Sequence, residues 1–195
     1  MSAPAGVAAP DTDRVSEPPE VRTTGSRLVY ANRWLRLRED AIVRGDGASG
    51  LYSVVEKRDF AIVIPLHEDR TMTLVEQYRY PIGMRRMEFP QGSSHRPLGG
   101  AELAAAELAE ETGLRARELR MLGRLHHAPG YSTQGCLVFA ATGLTQGEQR
   151  LDPEEHGLTV HRISRAEFER RVRRGEITDC ASIAAYGLLH LAEPR

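Results

Sequence analysis

A chain of 195 residues with 41% hydrophobic and 27% charged residues is long enough for one substantial domain, or one with a small domain appended, and has the composition of a soluble globular protein. A net charge of −1 with no basic block excludes nucleic-acid or membrane binding driven by bulk electrostatics. No apolar run is long enough to span a bilayer, no basic-then-apolar leader opens the chain, and Cys136 and Cys180 lack metal-ligand spacing, so a reducing cytoplasm is the expected compartment and both thiols are expected to be buried.

In chain order, residues 1–25 are rich in Pro, Ala, Ser, Thr and acids without hydrophobic period, which predicts a disordered tail. Residues 26–57 predict a small N-terminal antiparallel sheet. Leu28, Tyr30, Trp34, Leu35 and Leu37 give short strand patterns, and Asp46-Gly47 between two β-prone runs marks a hairpin. Residues 58–195 form the main domain. Phe60 to Leu66 is a continuous apolar run, as in a strand buried on both faces. A strand is predicted from Thr71 to Tyr80, then Met87 to Gly92 leads to a helix from Ala101 to Glu111 with Gly113 at its C-cap. Strands follow at Met121–His127, Gly135–Thr142 and Leu158–Ile163, with a polar loop from Gly143 to Gly157 between the last two. Ser164 caps a helix through Arg173, and Thr178 or Asp179 opens a final apolar helix through Leu191. Strands on both sides of one helix, with two helices at the end, predict an α+β sandwich rather than a parallel α/β repeat.

Glu107, Glu110 and Glu111 stand at i, i+3 and i+4, so their carboxylates share a helix face. Like charges at that spacing cost a few tenths of a kcal/mol per pair. Hard oxygen ligands so gathered suit a divalent cation such as Mg²⁺. Three glutamates alone amount to a solvated acidic face; their surroundings decide otherwise. Ala106 to Leu114 resembles the end of the Nudix box, G-x5-E-x7-R-E-U-x-E-E-x-G-U with U aliphatic, and Gly92 falls on its first glycine without a gap. Two positions depart, Leu98 for the first glutamate and Ala106 for the arginine. Losing such supporting partners typically costs 10- to 100-fold in metal affinity or activity.

The likeness extends from Ser26 to Leu191 and is greatest to the ADP-ribose pyrophosphatases, through Glu76-Gln77-Tyr78-Arg79, Glu88-Phe89-Pro90-Gln91-Gly92 and Gly175-Glu176-Ile177-Thr178-Asp179. The resemblance implies a Nudix fold, an α/β/α sandwich with a mixed sheet. It implies Mg²⁺-dependent cleavage of a nucleoside diphosphate sugar such as ADP-ribose to AMP and a sugar phosphate, with Mn²⁺ as an alternative ion, in a homodimer. Glu107, Glu110 and Glu111 then become the metal ligands; Arg79, Glu88 and Gly92 contact substrate or shape the loop; and Glu154 or Glu155 supplies the general base. Arg85, Arg86 and Tyr131 are secondary candidates, and Trp34 is assigned to the core ahead of adenine stacking or an interface. Arg96 or Arg115 offers to cover the missing arginine at Ala106. The alternatives are a nucleotide-binding sensor with lapsed catalysis, or a Nudix hydrolase for another nucleoside diphosphate derivative.

Overall fold

The structure is a computed structural model that describes residues 20–94, 98–151 and 155–193. It divides into two compact units, one up to Val55 and one from Glu56 onward.

The first unit is a sheet of β1 (Val21–Ala31), β2 (Arg36–Arg44) and β3 (Ser49–Glu56) in that order. The tail expected over 1–25 lies outside the described residues up to residue 19, and its last residues belong to β1. Thr23 faces Ile42 and Val21 faces Arg44 in the β1–β2 ladder. Backbone pairing recruits a polar stretch whose side chains carry no hydrophobic period. The predicted turn is present: Asp46 Oδ1 accepts from Ala48 N at 2.9 Å, and Gly47 has φ 83°. Asp40, buried on β2, accepts from Ser26 Oγ at 2.6 Å and Arg38 Nε at 3.0 Å, and these partners hold its carboxyl below the usual range. Trp34 is not in the core: it is exposed, with the Arg33 guanidinium 4.3 Å above its ring.

The second unit contains β4 (Phe60–Pro65), β5 (Met72–Arg79), β6 (Met84–Glu88), β7 (Gln91–Gly92), α1 (Gly100–Thr112), β8 (Leu114–His126), β9 (Gly135–Gln146), β10 (Thr159–Ile163), α2 (Arg165–Arg173) and α3 (Cys180–Ala192). One sheet runs β7-β4-β9-β8, mixed because β4 and β9 are parallel; the other runs β10-β5-β6. Alternation along β4 builds the core on both sides. Phe60, Ile62 and Ile64 pack with Phe168 of α2 and Ala185 and Leu189 of α3, while Ala61 and Val63 pack with Leu103, Ala104 and Leu108 of α1. The result is the expected α/β/α sandwich. β8 begins at Leu114 rather than Met121, and β9 runs to Gln146, taking the start of the expected loop. Their ladder extends from Leu114↔Gln146 to His126↔Gly135, so pairing rather than alternation sets both lengths.

The helix ends follow local chemistry. Glu102 reaches back to Gly99 N at 3.0 Å, the half of a capping box that a glycine N-cap permits. Ser164 Oγ accepts from Glu167 N at 3.1 Å, and Asp179 Oδ2 from Ser182 N at 2.8 Å. Cys136 is buried as expected, but Cys180, the first residue of α3, is exposed.

Candidate active site

The three glutamates occupy the last two turns of α1. Leu103, Ala104 and Leu108 turn one stripe of that helix into the core, which places Glu107 and Glu111 beside β7. Glu107 is 8% exposed and Glu111 only 1%, whereas Glu110 is half-buried. Gly92 makes the approach possible: a Cβ there would come within 2.6 Å of the Glu107 carboxyl carbon. Its neighbour Gln91 donates its backbone N–H to Glu111 Oε2 at 3.2 Å.

Glu88, 2% exposed, ends β6 next to this pair. Its carboxylate accepts from Gln77 Nε2 (2.7 Å), Arg79 Nη2 (2.5 Å), Arg79 Nε (3.2 Å) and Gln91 Nε2 (3.2 Å). Gln91 Nε2 also donates to Asp179 Oδ2 at 3.1 Å. Burial pushes the Glu88 carboxyl up and Arg79 opposes it. The Glu111 carboxyl lies well above the usual range, chiefly through burial and then through the charges of Glu155, Glu107 and Glu88. Glu155 therefore belongs to the same electrostatic cluster; Glu154 lies outside the described residues.

A cleft of about 560 Å³ opens beside these groups, lined among others by Lys57, Arg79, Arg86, Glu88, Gln91 and Gly92. Its cations suit an anionic ligand. Arg86 Nε donates to Thr178 Oγ1 at 3.2 Å on the cleft wall. Arg85 instead donates to two backbone carbonyls, Glu76 O at 2.9 Å and Gly157 O at 2.8 Å. Tyr131 lines a second cavity of about 400 Å³ with His127, Cys136 and Cys180. Arg115 lines a small recess with Glu110, Glu148 and Arg150, while Arg96 lies outside the described residues.

Among the described residues no three His, Cys, Asp or Glu side chains are already drawn close enough to hold an ion. The donor set nevertheless fits a hard divalent cation: the carboxylates of Glu107 and Glu111 are buried side by side, and the missing Cβ of Gly92 lets the Glu107 carboxylate lie against the β7 backbone. Lys57, Gln77, Gln91 and Asp179 were not singled out as site residues from sequence. Gln77, Gln91 and Asp179 each lie inside a segment that carries the family resemblance, whereas Lys57 lies in none.

The chain has counterparts among known proteins. Residues 21–55 match the model of the nucleoside diphosphate sugar hydrolase N-terminal domain. The chain is 32% identical over 183 residues to an ADP-ribose pyrophosphatase of Mycobacterium tuberculosis, covering 90% of this chain and 88% of that protein. It is 24% identical over 176 residues to a methanol dehydrogenase activator of Bacillus methanolicus, covering 89% and 95%. The crystal structure of an ADP compounds hydrolase superposes with a TM-score of 0.79 over 90% of this chain and 95% of that one, at 19% identity, and shares the fold. The identity over nine-tenths of the chain, on a mixed sheet between helices with a glycine loop against an acidic helix, marks a hydrolase of the Nudix class. The chain belongs to the Nudix hydrolase family, in its ADP-ribose pyrophosphatase group.

Proposed function

We propose that the protein hydrolyses the pyrophosphate of a nucleoside diphosphate sugar, ADP-ribose first among them, to AMP and a sugar phosphate, with Mg²⁺ or Mn²⁺ held by Glu107, Glu110 and Glu111. The observation that carries this reading is the Glu111 carboxyl, buried among Glu155, Glu107 and Glu88 at the edge of a cationic cleft. A bound cation would offset the repulsion that these charges exert on Glu111. An ion bound there would neutralise the diphosphate and lower the pKa of an attacking water. Lys57, Arg79 and Arg86 attract the diphosphate, and the Glu88 carboxylate orients the Arg79 fork. Glu155 takes the proton from the attacking water, with Glu154 the alternative acceptor. A homodimer is supported by the exposed Leu28, Val29, Tyr30 and Leu51 of the N-terminal sheet.

The test is turnover of ADP-ribose and a panel of nucleotide sugars with Mg²⁺ or Mn²⁺, beside a Glu110→Gln, Glu111→Gln double variant. Metal-dependent release of AMP that is lost in the double variant is the expected result. Leu98 and Ala106 favour a second reading, nucleotide binding without turnover, and binding with no product across the panel would establish it instead.

A further inference from the structure

The last four carbonyls of an α-helix have no partner within the helix. In α1 each finds one. Ala109 O accepts from Gly113 N at 2.9 Å, Glu110 O from Arg150 N at 3.1 Å, Glu111 O from Gln149 Nε2 at 2.5 Å, and Thr112 O from Gln146 Nε2 at 3.2 Å. Gly147 N adds a bond to Gly113 O at 2.8 Å. Apart from the local Gly113 bond, all these donors come from 146–150, the segment immediately before the one that carries Glu155.

The far side of that segment is fastened as well. Leu158 N donates to Glu155 O at 3.0 Å, closing a turn, and Gly157 O accepts from Arg85 Nη2 at 2.8 Å. The same Arg85 nitrogen donates to Glu76 O at 2.9 Å, so the anchor is tied to the β5–β6 pair that also carries Arg79 and Glu88. Surface loops ordinarily move freely, whereas a general base has to lie within hydrogen-bond reach of its proton.

We propose that Gln149 and Arg85 are positioning residues: they fasten the two ends of the Glu155 segment to the carboxylate helix and to the β5–β6 pair, and they act on hydrolysis through Glu155. The inference rests on the reading of Glu155 as proton acceptor. A purely structural cap would lower stability without singling out the catalytic step. A displacement of about 1 Å at a reacting group costs up to about 100-fold in rate.

The experiment compares Gln149→Ala and Arg85→Gln, each alone and combined with Glu155→Gln, in the full chain. Backbone hydrogen exchange at residues 155–158 is followed without substrate, and kcat and KM are followed for ADP-ribose with Mg²⁺. The expected result is faster exchange in both single variants and a fall in kcat of about tenfold or more with KM within about twofold. Neither substitution should lower kcat further once Glu155→Gln is present. Unchanged exchange in both variants, or losses that multiply with that of Glu155→Gln, would overturn the proposal. Undiminished turnover by Glu155→Gln would overturn it alone and leave the hydrolase reading standing. No turnover by the wild-type protein would overturn that reading and the catalytic half of the proposal together, whatever the exchange.

Discussion

One glycine in the site lies where any side chain would meet a carboxylate. Gly92 belongs to the two-residue strand β7, paired with Ala61 of β4, and its Cα faces the end of Glu107. Gly92→Ala places a methyl 2.6 Å from the Glu107 carboxyl carbon, well inside van der Waals contact. The carboxylate is the end of a flexible side chain, so it can swing away at little cost in stability. Function does not escape so lightly, because the displaced group is a proposed ligand. The expected outcome is a kcat/KM lower by about 10- to 100-fold and a higher Mg²⁺ concentration for half-maximal rate, with Tm nearly unchanged. Metal titration of the rate beside a thermal melt checks it.

At the scale of elements, the site is an agreement between a helix N-terminus and a strand end. Asp179 caps α3 by accepting from Ser182 N, and Ser182 Oγ in turn accepts from Phe89 N at 2.9 Å. The first turn of α3 thereby holds the chain at the residue after Glu88. Ser182 is fully buried, so no water replaces its hydroxyl. Ser182→Ala should cost about 1–3 kcal/mol, the usual penalty for leaving a buried backbone N–H without a partner. Urea unfolding would show it as a lower midpoint at constant m, and a change below about 0.5 kcal/mol would mean that another acceptor reaches Phe89 N.

At the scale of the whole molecule, several of the described carboxylates are shifted, and in opposite senses. Asp40 is held below its ordinary value by the Ser26 hydroxyl and Arg38, Asp69 by Thr71 and Arg162, and Glu193 by Arg165. Their stabilisation is complete above the unfolded values of 3.8 for Asp and 4.5 for Glu, and is lost as the pH falls through the lower folded values. Glu111 runs the other way: its folded value is raised, so its contribution is full below 4.5 and lost as the pH rises through the raised value. Above 4.5 and without metal, Glu111 is therefore a source of instability, whether its carboxyl ionises against burial or takes up a proton on folding. Glu111→Gln should raise Tm in EDTA at neutral pH while removing turnover. Mg²⁺ should raise the Tm of the wild type but not that of the variant, and the Mg²⁺ effect should shrink on acidification. Equal Tm for both proteins in EDTA would contradict the assignment of charge to this site.

The sequence by itself determined what nearest neighbours along the chain decide. The Asp46-Gly47 turn, the β4 run, the caps at Ser164 and Asp179, and the i, i+3, i+4 spacing of Glu107, Glu110 and Glu111 depend on local conformation and periodicity, and all stand where they were expected. Residues 21–25 of β1 and the extended ends of β8 and β9 were not legible, because those polar stretches become strands by pairing with partners remote in sequence. Nor was the fate of particular side chains. Tertiary structure alone decided that Trp34 is exposed, that Arg85 binds carbonyls, that Gln91 joins Glu88 to Asp179, and that Gln146 and Gln149 close α1. Apart from the exposure of Trp34, each of those outcomes depends on a group tens of residues away, where no period or motif constrains the partner. Burial then pushes the Glu111 carboxyl up, because desolvation acts only after the layers have closed over it.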